Sequence, residues 1–266
     1  MPTLELDGRR LHYLDEGGGE PVLLLVHGFP FSARMWEPQI AAFSDRHRVV
    51  APDLSGFGES EVPSERGAYS IDGYADEVAG VVAALGLGRV VVAGLSMGGY
   101  IALAVARRHP QILAGLVLAD TRAEADSQEV KSRRSDQQVF LSARKDVAPL
   151  VDGLLENLLS KRGPAGEEVA DRAGALMRTV DPDGWIGALE AMKQRSDASS
   201  GLAGITVPTL VLVGEDDEIT PPSAAEAMAE AIPGARLVVV PVAGHLTNLE
   251  NPEAFNEAVA GFLASL

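Results

Sequence analysis

The chain has 266 residues, 46% of them hydrophobic and 23% charged, which are the proportions of a globular protein with a substantial core. Its formal net charge of −16 argues against binding to nucleic acid, because a phosphate backbone is held by basic patches. Cysteine is absent, which excludes disulfides and thiolate metal sites.

Predicted strands and helices alternate along most of the chain. A hairpin over residues 3–6 and 10–15 turns at Asp7-Gly8, and the run at 21–26 is apolar on both faces, as in a buried parallel strand. Further strands are predicted at residues 48–51, 89–93, 113–119, 207–213 and 236–240. Helices are predicted at residues 69–85, 100–106 and 222–232, and from Asn251-Pro252 onward. This order predicts an α/β fold with a mainly parallel eight-stranded sheet and helices on both faces.

One long segment departs from that alternation. Between residues 122 and 204 no strand is evident; residues 124–138 are charged, and amphipathic helices are predicted at 147–159, 169–180 and 185–192. An insertion of roughly 80 residues is too long for a loop. We therefore expect a helical lid at 122–204, on a core made of residues 1–121 and 205–266.

The segment that decides the functional prediction is Gly94-Leu95-Ser96-Met97-Gly98. It stands between a predicted strand and a predicted helix, which is the context of a nucleophile elbow. The residues two before and two after the serine must be small, or their side chains would strike the adjacent strand and helix. The motif could arise by chance in a chain with 28 glycines, but the flanking elements argue against chance. Ser96 is therefore the predicted nucleophile.

A serine hydroxyl needs a base, and the chain has five histidines. On this kind of sheet the order along the chain is serine, acid, histidine, so only His109 and His245 qualify. His109 ends the helix after the elbow, roughly 18 Å from Ser96 at 1.5 Å per residue, where we expect it to cap carbonyl groups. His245 follows a strand in Ala243-Gly244-His245 and is the predicted base, with a plain surface histidine as the alternative.

The acid that orients the histidine should follow a strand. Gly214-Glu215-Asp216-Asp217-Glu218 supplies four carboxylates after one strand, without the ligand spacing of a calcium loop. Asp120, directly after the preceding strand, is a rival to them.

Two backbone N–H groups should stabilise the oxyanion. We expect one from Met97, at a helix N-terminus, and one from Phe29 in His27-Gly28-Phe29-Pro30, a loop that His27 is expected to brace. The glycine-containing stretch at residues 52–60 does not open a helix and is predicted as a structural turn. No His-Glu-x-x-His motif is present, so we expect no catalytic metal.

Together these motifs resemble the α/β-hydrolase superfamily. The matching segments are His27-Gly28-Phe29-Pro30, Asp53-x-x-Gly56-x-Gly58-x-Ser60, Gly94-Leu95-Ser96-Met97-Gly98-Gly99, Gly214-x-x-Asp217-x-x-x-Pro221 and Gly244-His245. In the family pattern the acid lies three residues after the glycine of the fourth segment. The resemblance therefore implies a triad of Ser96, His245 and Asp217.

Within the superfamily the chain resembles carboxylesterases and 3-oxoadipate enol-lactonase-like proteins, through residues 116–122 and 183–188. A serine nucleophile argues against the haloalkane dehalogenase and epoxide hydrolase branches, which use aspartate. Leu95 departs from the asparagine often found there in C–C bond hydrolases. The lack of tryptophan beside His27-Gly28 departs from many perhydrolase-like members.

The expected function is therefore that of a carboxylesterase that acts on a small-molecule ester through an acyl-enzyme, without a cofactor. Lactonase, C–C bond hydrolase, perhydrolase and a non-catalytic ligand receptor remain the alternatives. Apolar lining for a pocket between sheet and lid is expected from Phe29, Trp36, Met177, Trp185 and Met192.

The location of the protein is predicted from what the sequence lacks. Residues 1–7 contain early acids and no apolar signal-peptide core, and no apolar run approaches the ~18 residues of a membrane helix. We expect a cytoplasmic protein with no membrane partner.

Overall fold

The computed structural model describes residues 2–63, 69–162 and 167–266. In this part of the chain eight strands form one sheet in the order β1-β2-β4-β3-β5-β6-β7-β8. Their bounds are Thr3–Leu6 (β1), Arg9–Glu16 (β2), Val22–Val26 (β3), Val49–Pro52 (β4), Val90–Leu95 (β5), Leu113–Ala119 (β6), Thr209–Gly214 (β7) and Arg236–Val240 (β8). Only the β1–β2 and β2–β4 pairs are antiparallel, so the predicted mainly parallel eight-stranded sheet is confirmed.

Helices cover both faces of the sheet, as parallel strands require. Those outside the long insertion are Glu37–Phe43 (α1), Ile71–Ala84 (α2), Met97–Arg108 (α3), Pro222–Ala231 (α8), Thr247–Glu250 (α9) and Pro252–Leu263 (α10). Helices α2 and α3 pack against each other on one face, and α1 and α10 on the other. The strands between them, β3 and β5, are buried along their whole length.

Capping residues set where two of these helices begin. The Ser70 hydroxyl accepts a hydrogen bond from the Gly73 N–H at 2.9 Å, so α2 starts two residues later than the predicted helix. Asn251 caps α10 as predicted, through its side-chain oxygen and the Ala254 N–H, with Pro252 in the first turn.

Between β6 and β7 the described residues form four α-helices, here called the inserted helices: Gln128–Arg144 (α4), Ala148–Leu158 (α5), Glu167–Arg178 (α6) and Pro182–Gln194 (α7). The last three correspond to the predicted amphipathic helices. Helix α4 is absent from the prediction because most of its residues are polar, and Leu141 is its one fully buried residue. It packs against α7, where the Gln138 amide donates to the Ile186 carbonyl at 3.0 Å. Residues 163–166 of the predicted insertion lie outside the described residues.

Across the described ranges, none of the helices combines the length and the apolar character that a membrane span requires.

Candidate active site

Ser96 lies in the turn between β5 and α3, with φ at +54°, in the left-handed region that non-glycine residues rarely adopt. A Cβ built at Gly94 would collide with the Gly98 carbonyl oxygen, and one built at Gly98 would collide with the Val26 carbonyl oxygen. The Ser96 N–H donates to the Ala119 carbonyl at 2.9 Å, which ties the turn to the neighbouring strand. The glycines thus allow a strained turn that leaves the Ser96 side chain only half-buried.

His245 lies in the loop after β8, and its imidazole spans the space between Ser96 and Asp217. The Nε2 atom lies 2.8 Å from the Ser96 Oγ, and the Nδ1 atom lies 2.8 Å from the Asp217 Oδ2. A carboxylate can only accept, so Nδ1 carries the proton and Nε2 is left to accept from the serine hydroxyl. This is the arrangement in which a histidine can take the proton of a serine nucleophile.

The Asp217 carboxylate is also held by the turn that follows it. Its Oδ1 accepts from the Ile219 and Thr220 N–H groups at 2.8 and 2.9 Å, and its Oδ2 accepts from the Thr220 hydroxyl at 2.6 Å. Burial alone would raise the pKa of Asp217, but the positive charge that His245 can carry and these hydrogen bonds outweigh it and lower that pKa. Asp217 is therefore ionised beside the imidazole.

Asp120, the rival acid, is buried at the end of β6 and has other partners. Its Oδ1 accepts from the Gly214 N–H at 3.0 Å, and its Oδ2 accepts from the Thr247 hydroxyl. Burial first, and the nearby charge of Asp217 second, raise the pKa of Asp120 well above its ordinary value. Within the described ranges no hydrogen bond joins Asp120 to His245, so it is Asp217 that contacts the imidazole.

The loop after β3 lies beside Ser96: a Cβ built at Gly28 would be 3.5 Å from the Ser96 Cβ. As far as the structure describes the chain, the N–H groups of Phe29 and Met97 have no hydrogen-bond acceptor. His27 braces this loop, since its Nδ1 donates to the Gly28 carbonyl at 3.0 Å and its Nε2 accepts from the Leu54 N–H at 3.1 Å. Burial lowers the pKa of His27, which keeps it neutral, as these two bonds require.

Besides Phe29, four side chains are predicted to line the pocket, and the structure gives them different surroundings: Trp36, Met177, Trp185 and Met192. Trp185 of α7 is fully buried with its ring 5.0 Å from that of Phe29, which places it next to the site. Trp36 is also fully buried, and its ring packs 6.0 Å from the Phe255 ring of α10; its predicted substrate contact stays a prediction. Met177 and Met192 are buried in the inserted helices and stay a prediction.

His109 does not cap carbonyl groups with its side chain, contrary to our expectation. Its Nε2 lies 2.7 Å from the Asp76 Oδ1, because α2 packs beside the end of α3 and offers a carboxylate there.

The glycine-containing stretch at residues 52–60 is held together by Asp53. Its carboxylate accepts from His12 at 2.7 Å and from the Ala33 and Glu59 N–H groups. These contacts agree with the predicted structural turn.

Two polar residues around the site were missed by sequence reasoning. Thr220 holds Asp217 through both its hydroxyl and its N–H, and the spacing Asp-x-x-Thr after a strand is a signal that could have found it. Glu250 accepts from two N–H groups beside His245, and no local pattern indicates that. In the described ranges no cluster of three or more histidine, aspartate or glutamate side chains forms a candidate metal site.

The α/β-hydrolase fold family model matches residues 21–252, most of the chain. The chain belongs to the α/β-hydrolase family. Among similar structures of this family, a thermophilic esterase from Thermogutta terrifontis is 38% identical with a TM-score of 0.93, and 99% of this chain and 96% of that one are covered. The enol-lactonase from Burkholderia xenovorans LB400 is 31% identical with a TM-score of 0.89, over 99% and 100% of the two chains.

A further relative of this hydrolase is the 2-hydroxymuconate semialdehyde hydrolase of Pseudomonas sp. strain CF600. It is 30% identical over 97% of this chain and 91% of its own length. The protein is thus an α/β hydrolase of the enol-lactonase-like group that acts on small-molecule substrates.

Proposed function

We propose that this hydrolase is a carboxylesterase that cleaves esters of small to medium acyl or alcohol groups, with Ser96, His245 and Asp217 as its catalytic triad. The observation that carries the proposal is the chain of contacts at 2.8 Å from the Ser96 Oγ through the imidazole to the Asp217 carboxylate. The 38% identity to an esterase over almost the whole of both chains supports the same substrate class.

In the proposed acylation step the Ser96 Oγ attacks the ester carbonyl carbon while His245 Nε2 takes its proton. Asp217 stabilises the imidazolium that forms. The carbonyl oxygen becomes an oxyanion and accepts hydrogen bonds from the N–H groups of Phe29 and Met97. In the described part of the chain these two N–H groups donate to no other acceptor. When the tetrahedral intermediate collapses, the ester C–O bond breaks and the alcohol leaves with the proton from His245.

Deacylation repeats these roles with water in place of the serine. His245 takes a proton from water, the hydroxide attacks the acyl carbon, and the proton then returns to the Ser96 oxygen as the acid leaves. All the groups needed belong to the chain itself, so the proposal includes no cofactor and no metal.

Residues 122–204 are proposed to act as a lid over a core of residues 1–121 and 205–266. Three contacts support this: Trp185 packs on Phe29, Gly184 packs tightly against Gly56, and the Leu158 carbonyl accepts from the His245 N–H at 2.7 Å. The inserted helices therefore contact the loop after β3, which carries Phe29, and the loop after β8 that carries His245 (the histidine loop). Trp185, Met177 and Met192 are the proposed lining of the substrate pocket beneath them.

A lactone is a second candidate substrate, because the chain is 31% identical to an enol-lactonase over the full length of that protein. A lactone is a cyclic ester, so the same attack opens the ring and leaves the alcohol tethered to the acyl-enzyme. Comparing kcat/KM for p-nitrophenyl esters of graded chain length with that for a lactone would rank the two substrates.

Ser96→Ala tests the proposed nucleophile. We expect kcat for p-nitrophenyl acetate to fall by at least ~10³-fold with the fold intact, because no hydroxyl remains to form the acyl-enzyme. Ser142→Ala, at an exposed serine of α4, is the control and should retain full activity. Near-normal turnover by Ser96→Ala would refute the assignment, and an initial burst without turnover in the unmodified protein would indicate a receptor instead.

A further inference from the structure

Glu250, the last residue of α9, uses one carboxylate to hold two separate parts of the chain. Its Oε1 accepts from the Gly244 N–H at 2.9 Å and from the Leu246 N–H at 3.2 Å, the peptide groups on either side of His245. Its Oε2 accepts from the Ser160 N–H at 2.7 Å, just beyond the end of α5 in the insertion. The histidine loop and the inserted helices therefore share a single anionic acceptor.

Two further hydrogen bonds join the same segments. The His245 N–H donates to the Leu158 carbonyl at 2.7 Å, and the Ser160 hydroxyl donates to the Asp216 carboxylate at 2.6 Å. Residues 158–160 are thus fastened to the loop that carries His245 and to the loop that carries Asp217. Glu250 is the member of this network that contacts both sides of the histidine.

The surroundings of Glu250 act on its charge in two opposite directions. The carboxylate is largely buried, which raises its pKa, while the three N–H donors and the charge that His245 can carry act in the opposite direction. Hydrogen bonds to an ionised acceptor are roughly twice as strong as bonds between neutral groups. Removing the acceptor would leave three N–H groups in a partly dry space without a partner, which costs free energy at each of them.

We propose that Glu250 is a positioning residue that aligns His245 with Ser96 and couples this alignment to the docking of residues 158–160. This inference rests on the proposed function, since it concerns the same histidine. The N–H groups at positions 244 and 246 fix the backbone on both sides of the imidazole, so their release lets Nε2 move away from the Ser96 Oγ. A misplacement of about 1 Å is enough to lower a rate about 10²-fold.

Glu250→Ala, Glu250→Gln and the control Glu257→Gln, at an exposed site on α10, test the proposal. The measurements are the pre-steady-state rate of Ser96 acylation by p-nitrophenyl acetate, the KM, and amide hydrogen exchange of residues 155–162 and 242–250. For Glu250→Ala we expect acylation about 10²-fold slower at little-changed KM, with faster exchange in both segments. Glu257→Gln should match the unmodified protein.

Glu250→Gln separates the two halves of the network. Its remaining carbonyl oxygen can still accept from Gly244 and Leu246, while its NH₂ group would face the Ser160 N–H without accepting from it. We therefore expect faster exchange near Ser160 and a smaller loss of acylation rate than in Glu250→Ala. If Glu250→Ala does not fold, this variant decides the proposal by the same two measurements.

Normal acylation by a folded Glu250→Ala, or a loss of thermal stability with no change in acylation, would overturn the positioning role. Unchanged exchange of residues 155–162 in both Glu250 variants would overturn the coupling to the insertion. Failure of the proposed function gives a different result, in which Ser96→Ala keeps its activity and the exchange measurements still report on the contacts of Glu250.

Discussion

At the scale of single residues, the site holds two neighbouring buried carboxyl groups whose pKa values are shifted in opposite directions. Asp217 is ionised because His245, Thr220 and two backbone N–H groups stabilise its charge. Burial and the charge of Asp217 raise the pKa of Asp120 well above its ordinary value. Environments that push two pKa values apart commonly mark different roles for two acids. Here the group with the lowered pKa faces the imidazole, and the group with the raised pKa accepts from Gly214 at the end of β7 and from Thr247 of α9.

Substituting each acid by its amide should separate these roles. Asp217→Asn is expected to lower kcat by at least ~10³-fold. With its oxygen kept by the Ile219 and Thr220 N–H groups, the amide turns its NH₂ toward Nδ1 and donates to it, which gives the imidazole the wrong tautomer and removes the charge that stabilises the imidazolium. Asp120→Asn should lose less than about tenfold, since the hydrogen-bond partners of Asp120 are Gly214 and Thr247 rather than His245, and an amide oxygen can still accept from the Gly214 N–H. Steady-state kinetics with an activated ester measure both, and a larger loss in Asp120→Asn would overturn our choice of acid.

At the scale of secondary-structure elements, a mostly buried network of ion pairs joins the two ends of the insertion to each other and to α3. Asp126, ahead of α4, binds Arg134 at 2.6 Å and Arg195, after α7, at 2.5 Å, and the Asp126 and Arg195 side chains are only 5% and 4% exposed. The Arg195 guanidinium also lies 4.0 Å from the centre of the Tyr100 ring of α3. Loss of one partner here leaves buried charge without compensation.

Asp126→Asn should therefore destabilise the protein by about 3–5 kcal/mol in urea unfolding. The control is Asp72→Asn: Asp72 is 46% exposed and pairs with Arg108 between α2 and α3, so its loss should cost at most ~1 kcal/mol. Equal costs for the two substitutions would contradict the difference in burial.

The same network predicts a pH dependence. Burial opposes the charge of Asp126, but its hydrogen bonds and ion pairs with Arg134 and Arg195 outweigh burial and lower its pKa. A lowered pKa in the folded state stabilises the protein above the unfolded-state pKa of about 3.9, and this contribution is lost as the pH falls below that value. The difference in unfolding free energy between the unmodified protein and Asp126→Asn should shrink as the pH falls from 7 to about 3.

At the scale of the whole molecule, the sheet carries the proposed triad, and the insertion contacts the loops beside it. Ser96, His245 and Asp217 all follow parallel strands of one sheet, whose carboxyl ends meet at one edge. Trp185 belongs to the insertion but packs on Phe29 of the core, whereas Trp36 packs on Phe255 within the core. From this division we expect the core to perform the chemistry and the insertion to select the substrate.

The two tryptophans test that division. Trp185→Ala should raise kcat/KM for longer p-nitrophenyl acyl esters relative to the acetate, because it removes an indole beside Phe29. Trp36→Ala should destabilise the fold by about 3–5 kcal/mol and leave the ratio of esters unchanged, since it opens a cavity in the core. If both variants shifted the ester profile alike, the insertion would not set specificity.

Local sequence was sufficient wherever a property depends on near neighbours. The valine run, the glycines around Ser96 and the following small residues specify a strand, a strained turn and a helix, because backbone sterics act over a few residues. The alternation of strands and helices was enough for the sheet and its mainly parallel order, since a parallel pair needs a crossover. The order along the chain singled out His245.

Only the tertiary structure decided which side chains meet across long stretches of chain. Asp120 and Asp217 both follow strands, and only their packing shows that Asp217 reaches the imidazole. Helix α4 escaped detection because its polar surface carries almost no hydrophobic periodicity, and the two tryptophans look alike until their neighbours, Phe29 and Phe255, are known. Glu250 meets Ser160 from 90 residues away. Hydrogen bonds between distant segments leave no periodic trace in the sequence, because they depend on three-dimensional placement alone.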